Sequence, residues 1–186
     1  RTDRDADGVI IGAGSTGIST TLYLAQKHGI QAQVLEANQV ACGCCSRSDG
    51  QGQNASGRLS RSQWIARWCL DTAKKLGWEI RTGFENFRHL TTHIDCGAFD
   101  GGHLYVAHRL EKLAHLATDT GSRENFDYDI RLLSAQELRN GYCDDRDAAG
   151  GMREQEGVGI QPVEFTFGLM AKVRALGARI HHGSPV

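Results

Sequence analysis

The feature that most constrains the fold of this chain is a set of three glycines directly after a short apolar run. Residues 8–17 read Gly-Val-Ile-Ile-Gly-Ala-Gly-Ser-Thr-Gly. The apolar run predicts a strand over residues 9–11. Gly12, Gly14 and Gly17 then have the G-x-G-x-x-G spacing of a turn that opens a helix. Gly12 permits the sharp turn, Gly14 lets a phosphate group approach the backbone, and Gly17 lets the helix pack closely on the strand. This spacing predicts a βαβ unit that binds a dinucleotide.

The residues after the glycines complete this unit. Residues 15–28 have the apolar spacing of a helix, and Gly29 is a natural C-terminal cap. A second apolar run ends in Val34-Leu35. Glu36 follows, about 20 residues beyond Gly17, at the position of the acid that binds ribose hydroxyls. A carboxylate there repels a 2′-phosphate and so disfavours NADP. The alternative is an ordinary βαβ unit with a glycine-rich turn, but the complete set of strand, turn, helix, strand and acid favours a nucleotide site.

Size and composition limit the classes of protein to which the chain belongs. Its 186 residues are 40% hydrophobic and 23% charged, as in a globular protein with its own core. The formal net charge of −1 and the lack of a Lys/Arg stripe give no indication of a nucleic-acid partner. No apolar stretch is as long as a membrane span, and the charged residues 1–7 do not resemble a signal peptide. We therefore expect a cytoplasmic protein without a membrane partner. Because it has no initiator Met, we also expect its sequence to start inside a longer chain.

Six cysteines are present, and three of them form the run Cys42-Gly43-Cys44-Cys45. Adjacent cysteines are poor partners for an unstrained disulfide, so reduced thiols in a cytoplasmic protein are favoured. A zinc site needs a second close pair of ligands, and Cys69, Cys96 and Cys143 stand apart in the sequence. We therefore predict no metal site.

The order of the elements predicts an interrupted sheet. Residues 37–60 form a long polar loop, and such a loop in a compact domain is usually functional. A contiguous NAD domain continues with another helix and strand at short intervals. Here the next strand suited to the parallel sheet is at residues 179–182, more than a hundred residues later. We therefore expect a second domain to begin between these two parts of the sheet.

The intervening sequence has its own helices and strands. Helical spacing covers residues 61–76 and 79–92, with Gly77 and Gly83 as weak points, and the Trp64–Trp68 pair is interpreted as core packing. The other predicted elements are a strand at residues 103–107, a helix at 109–118, a strand at 128–133, a short helix capped by Ser134 and Glu137, an extended segment at 150–154 and a helix from Pro162 to Leu176.

Three further places resemble one known family. Residues 43–51, Gly-Cys-Cys-Ser-Arg-Ser-Asp-Gly-Gln, are similar to a family loop that reads approximately G-A-S-G-R-N-G-G-Q. Ile94-Asp95-Cys96 with residues 102–107 is similar to a family hairpin, and residues 159–162 to the entry of a family helix. With the glycine turn and Glu36, these motifs resemble the FAD-dependent D-amino-acid-oxidase (DAO) superfamily of amine and amino-acid oxidoreductases, the group of glycine, sarcosine and gamma-glutamylputrescine oxidases. The chain resembles the N-terminal part of these longer proteins.

The resemblance implies an α/β fold in which a Rossmann-like FAD-binding domain with the GxGxxG turn is interrupted by the start of an α+β substrate domain. Residues 1–60 would form the FAD-binding βαβ unit and flavin loop. Residues 61–160 would form a helical segment and a partial substrate domain. Residues 161–186 would return to the FAD-binding domain, and the chain would end before the fold is complete. Strands at residues 103–107 and 128–133 would then lack partners in the substrate sheet.

The resemblance also implies which residues bind FAD. The glycine turn would hold the pyrophosphate, Glu36 the adenosine ribose, and Val186 the adenine through its backbone. Residues 43–51 would run beside the second phosphate and the isoalloxazine edge, with Arg47 as a fixed cation. The alternative for Arg47 is a solvated loop arginine. The full predicted set is Gly12, Ala13, Gly14, Ser15, Thr16, Gly17, Glu36, Ala37, Gly43, Cys44, Cys45, Ser46, Arg47, Ser48, Gly50, Gln51 and Val186.

The activity implied by the resemblance is oxidation of a small amine or amino acid by hydride transfer to flavin N5. Catalytic residues stay unassigned, because no side-chain base is needed if the amine binds uncharged. Each of the eight histidines is expected on the surface or in packing. Two alternatives remain: an NAD-dependent dehydrogenase, which the flavin-type loop after Glu36 argues against, and a non-enzymatic nucleotide-binding fragment. We further expect the isolated chain to self-associate or to need a missing C-terminal portion.

Overall fold

The computed structural model describes residues 5–54 and 57–186 and, within them, all side chains except those of residues 122–124. Residues 1–4 of the charged N-terminal segment and residues 55–56 of the polar loop lie outside the described residues. The elements are, in chain order, β1 (Val9–Ile11), α1 (Ser15–His28), β2 (Gln33–Leu35), β3 (Gln51–Gly52), α2 (Arg61–Thr91), β4 (Phe99–Asp100), β5 (His103–Ala107), α3 (Leu110–Arg123), β6 (Ile130–Ser134), α4 (Ala135–Gly141), β7 (Gly150–Glu154), β8 (Val158–Gly159), α5 (Pro162–Ala175) and β9 (Arg179–His181).

The first of two compact units contains described residues 5–51, 90–98 and 160–186. Its parallel sheet has the strand order β1-β2-β9, with Val34 of β2 paired to Ile10 of β1 and to Ile180 of β9. Helices α1 and α5 pack against each other in this unit. The α/β class is confirmed. The prediction that the next parallel strand comes from residues 179–182 is also confirmed, since β9 pairs directly with β2.

Glycines set both ends of α1 as predicted. Gly29 follows the helix in the left-handed conformation, with φ of 67°, and its N–H donates to the Ala25 carbonyl at 3.1 Å. Gly12 also has a positive φ, 95°, where the chain turns off β1. A Cβ on Gly17 would lie 2.0 Å from the Gly12 carbonyl oxygen. The first turn of α1 therefore packs directly on the backbone of the glycine turn, and only glycine fits there.

The second unit contains described residues 52–54, 57–89 and 99–159. Its main sheet is antiparallel in the order β5-β7-β6, with the fully buried Met152 of β7 opposite Tyr105 and Leu132. The expectation that the strands at residues 103–107 and 128–133 lack partners is therefore wrong. Both pair with residues 150–154, which the sequence indicated only as an extended segment, because strand pairing over long sequence distances leaves no local pattern.

Helix α2 differs from the two separate helical stretches that were expected. It runs without a break at Gly77 or Gly83 and is interrupted instead at Cys69, where φ is 63° and ψ is 165°. Gly77 serves packing, because a Cβ there would lie 2.7 Å from a ring carbon of Phe126. Core packing is confirmed for Trp64, which is 5% exposed, and is wrong for Trp68, which is 38% exposed.

A buried arginine joins the start of α2 to the segment before β6. Arg61 is 1% exposed, and its Nη2 donates to the Asn54 carbonyl and to Tyr128 Oη, both at 2.9 Å. Tyr128 Oη in turn donates to Asn54 Oδ1 at 3.1 Å. The guanidinium also lies 4.4 Å from the ring centroid of Trp64, a cation–π geometry that stabilises a buried charge. This cluster forms part of the core of the second unit.

Several boundaries differ from those predicted. Helix α3 runs beyond residue 118, and β6 begins at Ile130, so Tyr128 precedes the strand. The capping box is confirmed, because Ser134 Oγ accepts the Glu137 N–H and the Glu137 carboxylate accepts the Ser134 N–H. The predicted domain segments 1–60, 61–160 and 161–186 stay predictions. The compact units place residues 90–98 with the first unit and 52–60 with the second, as far as these are described. No helix in the described part of the chain combines the length and apolar character needed to cross a membrane.

Candidate cofactor-binding site

The glycine turn between β1 and α1 presents backbone groups to a cleft in the first unit. The first N–H groups of a helix have no acceptors within the helix, and the positive end of the helix dipole lies there. Gly14 lines the cleft in an extended conformation, with φ of −80° and ψ of 178°. Gly12 N–H donates to the Leu35 carbonyl at 2.7 Å, which holds the turn against the end of β2. A turn of this kind at a helix N-terminus can accept an anion.

The carboxylate of Glu36 lies at the same place, directly after β2. Its oxygens accept the N–H of Ala13 at 2.7 Å and the N–H of Asn38 at 2.9 Å. These two backbone hydrogen bonds, that from Ala13 first, hold the pKa of Glu36 below its ordinary value, with a smaller contribution from the charge of His182. Glu36 is therefore an ionised acceptor beside the turn, as binding to ribose hydroxyls requires.

The loop after β2 completes the cleft, which has a volume of about 320 Å³. Ala41 N–H donates to the Ala13 carbonyl at 3.2 Å, so the loop is attached to the glycine turn by a backbone hydrogen bond. A 3₁₀ turn at Cys44–Ser46 follows. Arg47 is exposed on the cleft, and its side chain has no ion pair among the described residues. The residues that line the cleft are Gly14, Glu36, Asn38, Ala41, Cys42, Gly43, Cys44, Cys45 and Arg47.

The structure brings part of the predicted set to this cleft. Gly14, Glu36 and Arg47 line it together with residues 43–45, while the other predicted residues of the glycine turn form the backbone around Gly14. Asn38, Ala41 and Cys42 also line it and were missed, although they belong to the polar loop that the sequence indicated as functional. The remaining predicted residues are outside the lining: Ala37, Ser46, Ser48, Gly50, Gln51 and Val186.

Two of these outside residues have a clear environment. Gly50 has φ of 74°, and a Cβ on it would lie 2.0 Å from the Ile160 carbonyl oxygen, so it is required for packing against the segment that leads into α5. Its carbonyl accepts the Ile160 N–H at 2.9 Å. Val186 is 84% exposed. Their proposed contacts with a cofactor stay predictions.

A buried residue that contacts the first turn of α1 was missed entirely. Thr166 of α5 is fully buried, and its Oγ1 lies 3.1 Å from Ser15 Oγ in the first turn of α1. Ser15 Oγ is 3.1 Å from Cys45 Sγ, and the Ser15 N–H donates to the same sulfur at 3.1 Å. A separation of 151 residues between Ser15 and Thr166 left no local signal for this contact.

The parallel sheet, the glycine turn and the acid after the second strand are features of a nucleotide-binding α/β protein. Residues 7–186 match the family described as DAO, FAD dependent oxidoreductase, and the chain belongs to this family. The cofactor of the family is FAD.

Two curated relatives are much longer than the chain. It is 30% identical over 187 residues to gamma-glutamylputrescine oxidoreductase of Escherichia coli (strain K12), an alignment that covers 97% of this chain and 42% of that protein. It is 28% identical to the probable oxidoreductase OrdL of Haemophilus influenzae, again over 97% of this chain and 42% of the relative. The chain thus spans less than half the length of the curated relatives that it matches.

Solved structures show the same fold. Glycine oxidase from Geobacillus kaustophilus superposes with a TM-score of 0.77 at 18% identity, covering 95% of this chain and 46% of that one. L-amino acid deaminase from Proteus vulgaris superposes with a TM-score of 0.73 at 20% identity, covering 98% of this chain and 40% of that one. At these identities the likeness concerns the fold alone.

Proposed function

We propose that this chain binds FAD in the cleft between the glycine turn and residues 41–47, as the N-terminal part of an oxidoreductase that acts on a small amine or amino acid. The observation that carries the proposal is the position of Gly14, where the backbone at the N-terminus of α1 faces the cleft without a side chain. Family membership over residues 7–186 supports FAD as the ligand. The names of the relatives, a gamma-glutamylputrescine oxidoreductase and a glycine oxidase, support the substrate class.

Each group in the cleft has a role that its chemistry fits. The backbone N–H groups at the start of α1 would bind the pyrophosphate, with Arg47 as a cation for the same charge. Glu36 would accept hydrogen bonds from the adenosine ribose, releasing the Ala13 N–H to the phosphate. The carboxylate also disfavours a 2′-phosphate at this position. The donor set therefore fits an anionic dinucleotide with a free ribose.

When bound, FAD supplies the acceptor for a hydride from the α-carbon of the substrate, whose imine product then hydrolyses in water. The described residues contribute position and charge to this chemistry, and we assign no side chain a proton-transfer role. We place the groups that hold the substrate in a further part of the full-length protein, as implied by the greater length of the relatives. We also propose a cytoplasmic location and no nucleic-acid partner, which the six free cysteines and the net charge of −1 support.

The test of the substrate class is anaerobic reduction of the bound flavin in the full-length protein. Small amines and amino acids should bleach the flavin absorbance, and the same protein should release peroxide or reduce an added electron acceptor. Hydroxy acids and sugars are the matched controls, because they lack an amine. Reduction by the controls but by no amine would contradict the proposed substrate class while leaving FAD binding intact.

We further propose that the 186-residue chain self-associates when it is isolated. Val9 and Ile11 of β1 are 54% and 69% exposed, although they belong to a strand of the parallel sheet. Exposed apolar side chains on a sheet favour association. Size-exclusion chromatography with light scattering should show oligomers or aggregates for the isolated chain. A monodisperse monomer would contradict this proposal.

A further inference from the structure

Four groups form a continuous hydrogen-bonded chain from α5 to the cofactor cleft. Thr166 Oγ1 donates to the Pro162 carbonyl at 2.8 Å. Thr166 Oγ1 and Ser15 Oγ are 3.1 Å apart, and Ser15 Oγ and Cys45 Sγ are also 3.1 Å apart. The carbonyl can only accept, while each hydroxyl or thiol carries a single hydrogen. Only one set of directions makes all three contacts hydrogen bonds at the same time.

In this set of directions, the Thr166 hydroxyl donates to the Pro162 carbonyl. Since Thr166 gives its one hydrogen to Pro162, it must accept from Ser15 Oγ–H. Since Ser15 gives its hydroxyl hydrogen to Thr166, its oxygen must accept from Cys45, whose S–H is therefore the donor. The sulfur also accepts the Ser15 N–H at 3.1 Å. In this arrangement the Cys45 S–H points towards Ser15.

The Cys45 sulfur lies beside the N-terminus of α1. Cys45 Sγ accepts an N–H in the first turn of α1, and a Cβ built on Gly14 would lie 3.4 Å from it. A sulfur anion at this point would place a negative charge at the positive end of α1, where an anionic ligand binds. We propose that Thr166 is a positioning residue for the cleft, which accepts the Ser15 hydroxyl hydrogen and thereby keeps the Cys45 hydrogen on sulfur.

Several other titratable and charged groups lie near Cys45. The titratable and charged residues that line the cleft with it are Glu36, Cys42, Cys44 and Arg47. From α1, Ser15 contacts the sulfur through its N–H and its hydroxyl, while Glu164, the acidic residue in the first turn of α5, lines a separate groove. Because α5 also packs directly against the 3₁₀ turn that carries Cys45, a Ser15→Ala background is needed to show that an effect of Thr166 passes through Ser15.

The test uses the full-length protein without FAD, in a background in which Cys42 and Cys44 are serine. Cys45 is then the only thiol in the tryptic peptide of residues 28–47, so isotope-coded alkylation and mass spectrometry report its reactivity alone. Only the thiolate is alkylated at an appreciable rate. The rate is measured from pH 5 to 10 for Thr166 and for two variants, Thr166→Val and Thr166→Ser.

Valine has the shape of threonine but cannot accept a hydrogen bond. In Thr166→Val, the Ser15 hydroxyl turns to the Cys45 sulfur, which then receives two donors and ionises more readily. We expect the alkylation profile to shift to lower pH by about one unit, with a rate about tenfold higher near neutral pH. Thr166→Ser keeps the hydroxyl and should keep the original profile. In a Ser15→Ala background, Thr166→Val should cause no shift.

A purely structural role gives different results. Loosened packing would raise the maximal rate at high pH without moving the midpoint of the profile, and that result overturns the proposal. An equal shift in Thr166→Val and Thr166→Ser overturns it as well, because the serine hydroxyl still accepts. Persistence of the shift in the Ser15→Ala background would likewise show that the effect does not pass through Ser15.

A second experiment rests on the proposed function. The FAD affinity of Thr166→Val should fall as pH rises through the shifted profile, while that of the original protein stays level over the same range. Adding Cys45→Ser to Thr166→Val should remove the fall. If the alkylation profile shifts as expected but FAD affinity does not respond, the hydrogen-bonded chain is correct and the proposed place of the pyrophosphate is wrong. If neither responds, the proposal itself is overturned.

Discussion

Replacing Gly17 by alanine tests the packing on which the glycine turn depends. The new Cβ would lie 2.0 Å from the Gly12 carbonyl oxygen and 3.3 Å from Ile10 Cγ2. Real Cβ contacts are essentially never shorter than 3.0 Å, so α1 must move away from the turn by about 1 Å. The Gly12 carbonyl belongs to the backbone and cannot rotate away from the new Cβ as a flexible side chain can. The strain of such overpacking is about 1–3 kcal/mol, and the greater helix propensity of alanine, about 1 kcal/mol, offsets part of it.

We therefore expect Gly17→Ala to lower the free energy of unfolding by up to about 2 kcal/mol and Tm by up to about 8 °C. The measurement is urea and thermal denaturation followed by circular dichroism, without added FAD. Gly83→Ala is the matched control, because it also lies within a helix but its Cβ would meet nothing within 4 Å. That control should be neutral or more stable by up to about 1 kcal/mol. If Gly17→Ala proved as stable as Gly83→Ala, the close packing of α1 on the turn would be refuted.

Three further predictions concern other parts of the fold. Two backbone hydrogen bonds lower the folded-state pKa of Glu36, so they stabilise the protein above the ordinary pKa of 4.5. This stabilisation is lost as pH falls through the lowered pKa. The difference in free energy of unfolding between the original protein and Glu36→Gln, measured in urea, should therefore narrow below pH 4.5. A constant difference down to acid pH would contradict this. Ser134→Ala removes a helix cap and should cost about 0.5–2 kcal/mol in urea denaturation, whereas an unchanged midpoint would count against the capping box. Tyr128→Phe removes a hydrogen-bond partner of both Arg61 and Asn54 and should lower the free energy of unfolding by about 1–3 kcal/mol in the same assay. An unchanged free energy of unfolding would mean that the buried cluster contributes little to stability.

Features encoded by local residue chemistry could be predicted from the sequence. Helix α1 has the predicted bounds, because Gly29 adopts the left-handed conformation that favours glycine. The capping box at Ser134 was predicted for the same kind of reason, since both of its partners lie within one helical turn. The glycine turn, Glu36 and the loop at residues 43–45 could be assigned to one site because the spacing of the turn indicates where α1 begins.

Features that depend on distant contacts could not be predicted. Gly77 was taken as a weak point in a helix, yet it is there to admit the ring of Phe126, which is far away in sequence. The interruption of α2 at Cys69 has no glycine or proline to mark it. Residues 150–154 gave no sign that they are the central strand of a sheet. Thr166 reads as an ordinary helix residue until its contact with Ser15 is seen.

The central claim, that the cleft beside Gly14 binds FAD, is tested most directly by titration of the full-length apoprotein with FAD. Binding is followed by quenching of flavin fluorescence and by the change in the flavin absorbance bands, with NAD as the control ligand. Family membership leads us to expect saturable binding of FAD and no binding of NAD. We also expect Gly14→Val to lose FAD binding, because a branched side chain would fill the space where the pyrophosphate meets the backbone. Gly83→Ala should bind FAD like the original protein. Full FAD affinity in a correctly folded Gly14→Val variant would contradict the claim.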